Sequence, residues 1–151
     1  MSASLVGSEM CIRDRYVMTV NGVPYYNDSK ATNPDSTIKA LEAFDGHIIL
    51  LAGGHDKMTS LEPMMKLVQA KADVLILLGE AKERFYEAAA AAGVGDIRKV
   101  ETMDEAVELA YKLAAAPQVV LLSPACSSYD MFENFPARGR YFKNLVAALP
   151  K

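Results

Sequence analysis

Residues 46–54 read "GHIILLAGG": four branched or long apolar residues and an alanine in unbroken succession, closed by two glycines. A strand with one wet face alternates polar and apolar side chains, so an uninterrupted run implies cover on both faces. That is how strands of a parallel sheet read. The pattern recurs in "DVLILLG" (73–79) and "QVVLLS" (118–123), with a shorter strand-like piece, "IRKV", at 97–100. Between these runs lie stretches with apolar residues at helical spacing: "SLEPMMKLVQAKA" (60–72), the alanine-rich "EAKERFYEAAAAAG" (80–93), "TMDEAVELAYKLAAA" (102–116), halted by Pro117, and "FPARGRYFKNLVAAL" (135–149). Strands alternating with helices predict right-handed crossovers.

Upstream, "YVMTVNGVPYYN" (16–27) places two β-rich pieces around Asn21-Gly22, a strong hairpin signal. Asn33 followed by Pro34 marks a helix start, and "STIKALEAF" (36–44) supplies its apolar stripe. The expected fold is an α/β, three-layer, Rossmann-like domain. Its sheet is mostly parallel with helices on both faces, and an antiparallel hairpin forms one edge. The domain is expected over 16–151. Residues 1–15, "MSASLVGSEMCIRDR", lack periodicity and resemble a translated sequencing-adaptor run; the plainer reading is an irregular tail.

At 151 residues the chain is long enough for one domain with a real core. The hydrophobic share is 51%, the charged share 23% and the formal charge −3, with basic residues scattered. Nothing there points to nucleic acid or an acidic membrane. Two cysteines, Cys11 and Cys126, make no disulfide framework, and no apolar run approaches membrane-spanning length. No basic cluster precedes an apolar core at the N-terminus. The expected location is the cytoplasm.

Ligands of open parallel sheets gather beyond the carboxyl ends of the strands. Three polar packets fall there: "NDSKATNP" (27–34), "GGHDK" (53–57) and "SPACSSYDMFENF" (123–135). In the first, backbone N–H groups at the Asn33 cap, Lys30 and the Thr32 hydroxyl suit an anion; equally, Asp28, Ser29 and Asn33 suit an ordinary turn and helix start. "GGHDK" lacks the spacing of a phosphate loop, and no dinucleotide fingerprint follows a strand. It leaves a close-packed glycine turn and Lys57. His47 and His55 have no metal-ligand spacing around them, so no metal site is expected. His55 beside Asp56 reads as an acid–base pair or as an idle rim histidine. In the third packet a serine beside Cys126 invites a nucleophile, but no nucleophile elbow or paired histidine accompanies it. Hydroxyl donors walled by aromatics fit better, with the alternative that Phe132, Phe135 and Phe142 are core.

From about Val23 onward the chain resembles the C-terminal domain of the Mur ligases of peptidoglycan synthesis. The resemblance rests on "NDSKATNP", "AGGHDK" and "LLSPACSSYDMFENFPARG" in that order, across roughly four-fifths of the chain. "DSKATN" and "SPACSSYDMF" point within the family to the D-glutamate-adding member. The resemblance implies an ATP-dependent ligase that joins D-glutamate to UDP-N-acetylmuramoyl-L-alanine through an acyl phosphate. It assigns Thr32, Lys57, Ser128 and Phe135 to D-glutamate, and Asp28, Lys30 and Lys57 to the neighbourhood of the nucleotide phosphates and their Mg2+. ATP and UDP-N-acetylmuramoyl-L-alanine would be gripped by central and N-terminal domains that this chain lacks. The chain alone is therefore expected to be inactive, to hold no catalytic residue of its own and to bind no cofactor tightly. The departures are His55 and Asp56 ahead of Lys57, and Tyr129 where a smaller aliphatic residue is common. The alternatives are another Mur or folylpolyglutamate-type ligase domain, or a stand-alone binding domain.

Overall fold

The computed structural model describes residues 15–55, 60–127 and 132–150. Six strands form one sheet: β1 (Tyr16–Val20), β2 (Val23–Asn27), β3 (Ile48–Gly53), β4 (Ala72–Leu78), β5 (Ile97–Lys99) and β6 (Val119–Leu122). Among the described residues five helices accompany them: α1 (Pro34–Glu42), α2 (Glu62–Lys71), α3 (Lys82–Ala91), α4 (Met103–Leu113) and α5 (Phe135–Ala147). Across the sheet the order is β1-β2-β6-β3-β4-β5. Every pairing is parallel except β1 with β2, so the predicted hairpin does form one edge. Its turn uses positive φ at both Asn21 (52°) and Gly22 (82°), the geometry that suits a two-residue hairpin.

The unbroken apolar runs are explained by the layers. Along β3, Ile48, Leu50 and Ala52 pack with Leu41, Met64, Met65, Val68, Phe85 and Ala89 of α1–α3. Ile49 and Leu51 point the other way, into Met103, Ala106, Val107 and Ala110 of α4 and Phe142 and Val146 of α5. All six β3 residues are buried. Period-two alternation persists, but both faces are dry.

Polar caps fix the helix starts. The Asn33 side chain accepts from Ser36 N–H at 2.9 Å with Pro34 at the first position, as the sequence predicts. Thr102 and Glu105 form a reciprocal capping box at α4. Asn134 accepts from Ala137 N–H at 2.8 Å and starts α5. β5 is only three residues long, with Arg98 and Lys99 exposed, as befits a protected edge.

Candidate functional site

The last strand, β6, lies between β2 and β3. Chains leaving β2 and β3 pass to α1 and α2 on one face, whereas the chain leaving β6 passes to α5 on the other. Such a divergence opens a crevice at the carboxyl ends of the strands. The three polar packets start there.

Backbone hydrogen bonds tie the packets together. Asp28 N–H donates to Leu122 O at the end of β6 (2.7 Å), and Ala125 N–H to Ala31 O (3.0 Å), the latter joining the first packet to the third. Gly53 N–H donates to Pro124 O and His55 N–H to Ser127 O, both at 3.0 Å, joining the second to the third. The Gly53-Gly54 pair makes this approach feasible. At Gly54 (φ +146°) an added Cβ would stand 2.6 Å from Ser127 O and 3.0 Å from Cys126 Cβ.

Beneath the loops run two polar ties. In the first, Ser123 Oγ donates to Asp28 Oδ2 at 3.0 Å and Arg15 Nε to Asp28 Oδ1 at 2.9 Å, while Thr37 Oγ1 donates to Ser123 O at 3.1 Å. Asp28, Ser123 and Thr37 are all buried. Burial pushes the Asp28 carboxyl above its usual value of 3.8, opposed by the hydrogen bonds from Arg15 and Ser123. The raised folded value fixes the sign of the linkage: the stabilising share from Asp28 is full below the unfolded value and is lost as pH rises through the folded one. Asp28→Asn removes that dependence. The stability of the variant relative to the wild type is expected to rise between about pH 3.5 and pH 7, measured by urea unfolding of both proteins across that range. A pH-independent difference would contradict it.

The second tie is Arg138, on the buried stripe of α5. Its Nε donates to Ser29 Oγ (2.9 Å), Nη1 to Cys126 O (2.9 Å) and Nη2 to Ser29 O (2.5 Å). Ser29 Oγ donates in turn to Phe135 O at 2.8 Å. One guanidinium therefore clamps the first packet, the third packet and the start of α5. Beside it, Gly139 packs so closely that a Cβ would sit 2.8 Å from Asn27 Nδ2.

Among the residues singled out from sequence, Asp28 faces inward, Lys30 is exposed, and Thr32 is half-buried just before the Asn33 cap. Phe135, first in α5, is 42% exposed, whereas Phe142 is fully buried. Phe132 is half-buried, its ring centroid 5.4 Å from that of Tyr141. Core packing thus accounts for Phe142 but not for Phe135. Lys57, Asp56, Ser128 and Tyr129 lie outside the described residues. His55 Nδ1 is 3.2 Å from Glu80 Oε1 on the surface, and Cys126 is 3% exposed. Ser123 is not a ligand donor, because its hydroxyl is buried against Asp28. Sequence reasoning missed Arg138; the signal was a charge at the i−4 position of the apolar series Arg138, Phe142, Val146. No helix among the described residues is long and apolar enough to cross a membrane.

Comparison with known proteins agrees with this architecture. The model of the family described as "Mur ligase, glutamate ligase domain" matches residues 13–126. The chain is 47% identical over 137 residues to UDP-N-acetylmuramoylalanine–D-glutamate ligase of Geotalea uraniireducens, covering 91% of this chain and 30% of that protein. It is 43% identical over 134 residues to the ligase of the same name from Clostridioides difficile, covering 89% and 30%. The chain thus spans about 30% of the length of these curated relatives. Among solved structures, the murein peptide ligase of Psychrobacter arcticus superposes with a TM-score of 0.62 at 10% identity, over 93% of this chain and 31% of that one. Folylpolyglutamate synthase of Mycobacterium tuberculosis gives 0.62 at 14%, over 93% and 33%. At such identities these two speak for the fold alone. With the family model covering three-quarters of the residues and the three loops tied as described, the chain belongs to the Mur ligase glutamate ligase domain family.

Proposed function

We propose that residues 16–151 form the amino-acid-binding domain of an ATP-dependent ligase that adds D-glutamate to UDP-N-acetylmuramoyl-L-alanine in the cytosol. The observation that carries this reading is the tying of 28–33, 53–55 and 123–127 at one rim of the sheet. Relatives at 43–47% identity that bear the name of that reaction support it. D-glutamate brings two carboxylates and one nucleophilic amine, so its site needs cations and hydroxyl donors that fix the amine's direction. In this reading Thr32, Lys57, Ser128 and Phe135 hold it. The exposed ammonium of Lys30 suits a phosphate. Asp28, spent on Ser123 and Arg15, serves by holding the Lys30 loop. Lys57 belongs to both groups. ATP, with Mg2+, supplies the phosphoryl group that activates the acceptor carboxylate, and the rest of the longer protein grips it.

The test uses the full-length ligase containing this chain. D-glutamate should be consumed in preference to L-glutamate and meso-diaminopimelate, and a preference for either of the others overturns the assignment. Lys57→Ala is expected to raise KM for D-glutamate about tenfold and to lower kcat. Unchanged kinetics in Lys57→Ala, together with full activity of a Lys30→Ala/Thr32→Ala double variant, would return the first packet to the role of a helix start.

A further inference from the structure

Three residues from separate parts of the chain touch one another beside the start of α5. Tyr141 lies on α5 next to the fully buried Phe142 and is itself 37% exposed. Its hydroxyl donates to Asp104 Oδ1 in the first turn of α4. Its ring meets that of Phe132, with centroids 5.4 Å apart and planes inclined by 51°. Phe132 is half-buried against the core layer that holds Phe142 and Val146. It stands two residues ahead of Asn134, the cap of α5, and three ahead of Phe135.

Each contact constrains the next. The capping box of Thr102 and Glu105 fixes the turn that carries Asp104. An exposed phenol can spend its hydroxyl on water; here a charge-assisted bond to a second helix selects one ring direction instead. That bond also holds the phenol above its usual value of 10.0, so the hydroxyl keeps its proton and donates at neutral pH. The ring so directed offers Phe132 a tilted aromatic contact, which ring quadrupoles favour over a face-to-face stack. An apolar residue just ahead of a helix cap that packs back on the helix fixes the angle at which the chain enters. Phe135 is the first residue after that entry, and Ser29 Oγ donates to its carbonyl. With Phe135 42% exposed, its place depends more on these ties than on packing of its own ring. We propose that Tyr141, directed by Asp104, is a positioning residue that sets Phe135 through Phe132 and thereby raises affinity for the amino-acid substrate. The inference rests on the reading of Phe135 as a D-glutamate contact, a reading in which Tyr141, Asp104 and Phe132 have no part.

The test is steady-state kinetics of the full-length ligase containing this chain. Tyr141→Phe keeps the ring and removes the donor. It should raise KM for D-glutamate about fivefold, with KM for ATP and for UDP-N-acetylmuramoyl-L-alanine unchanged. A role in stability alone would lower the active fraction, and hence kcat, and leave all three KM values in place. Asp104→Ala should reproduce Tyr141→Phe, whereas Asp104→Asn, which keeps an acceptor for the phenol, should restore most of the affinity. Phe132→Ala should raise the same KM at least as far. Adding Tyr141→Phe to Phe135→Ala should raise KM no further, because the first acts through the second. The proposal is overturned by an unchanged KM for D-glutamate in Tyr141→Phe, by an equal rise in all three KM values, by no difference between the two Asp104 variants, or by full additivity with Phe135→Ala. Phe135→Ala alone separates the two readings. An unchanged KM there removes the D-glutamate contact and this proposal with it, whereas a raised KM there beside an unchanged one in Tyr141→Phe removes the positioning role alone.

Discussion

Gly53→Ala is expected to cost at least about 4 kcal/mol, a large share of the stability of a domain this size. Gly53 sits at φ +120° opposite Leu78, where β3 and β4 end side by side, and a Cβ there would stand 1.9 Å from Leu78 O and 3.0 Å from its carbonyl carbon. Backbone, not a yielding side chain, occupies the space. The two strands must therefore part, and parting them pulls Gly53 N–H from Pro124 O and so loosens the seam between the second and third packets. The contrast is Gly95→Ala: nothing lies within 4 Å of its Cβ position and its φ is not in the left-handed region, so the same substitution should fall within about 0.5 kcal/mol of wild type. Urea unfolding of both variants checks this. Equal midpoints would mean that the glycine pair is not what permits the loops to meet.

Arg138→Met is the second large effect, expected at about 3 kcal/mol. Methionine keeps most of the buried volume but donates nothing, leaving Ser29 O, Cys126 O and Ser29 Oγ without the donor they share. Each buried acceptor so stranded costs about 1–3 kcal/mol. Arg138→Lys should rescue little, because one ammonium cannot span three acceptors that a planar fork reaches together. Beyond stability, amide exchange should accelerate at 28–31 and 125–127 more than along β3 or β4, since the clamp joins loops rather than sheet. Uniform acceleration across the domain would identify Arg138 as a general core residue instead.

The architecture was legible because burial on both faces writes itself into composition. Ile48–Ala52, Val74–Leu78 and Val120–Leu122 have no wet side to advertise, Asn21-Gly22 takes positive φ at both residues, and Asn33-Pro34 joins a capping side chain to a residue that fits the first helical position. That the three loops meet at one rim was legible as well, from where polar packets follow apolar runs. Individual roles were not. Asp28 and Lys30 are neighbours of similar polarity, yet one is 7% exposed and tied to Ser123 while the other faces solvent. Phe135 and Phe142, seven residues apart, share one face of α5, yet Phe135 at the first position is exposed and Phe142, two turns on, is in the core. Arg138 and Arg140 stand on either side of Gly139 in "ARGR", but helical geometry turns the first inward, to a clamp, and the second outward, to solvent. Residue type records chemistry; only the phase of the helix and the partner strand decide where that chemistry faces.

The position of β6 has a consequence for how the protein is made. Residues 119–122 are late in the chain but central in the sheet, pairing with β2 on one side and β3 on the other. During synthesis the hairpin and the β3–β4–β5 portion emerge as two pieces with no strand between them, and such long-range parallel pairing is slow to form. The rim at which the three loops meet thus comes into being only when a segment made after both of its neighbours inserts between them. The meeting of the three loops and the completion of the sheet are a single event.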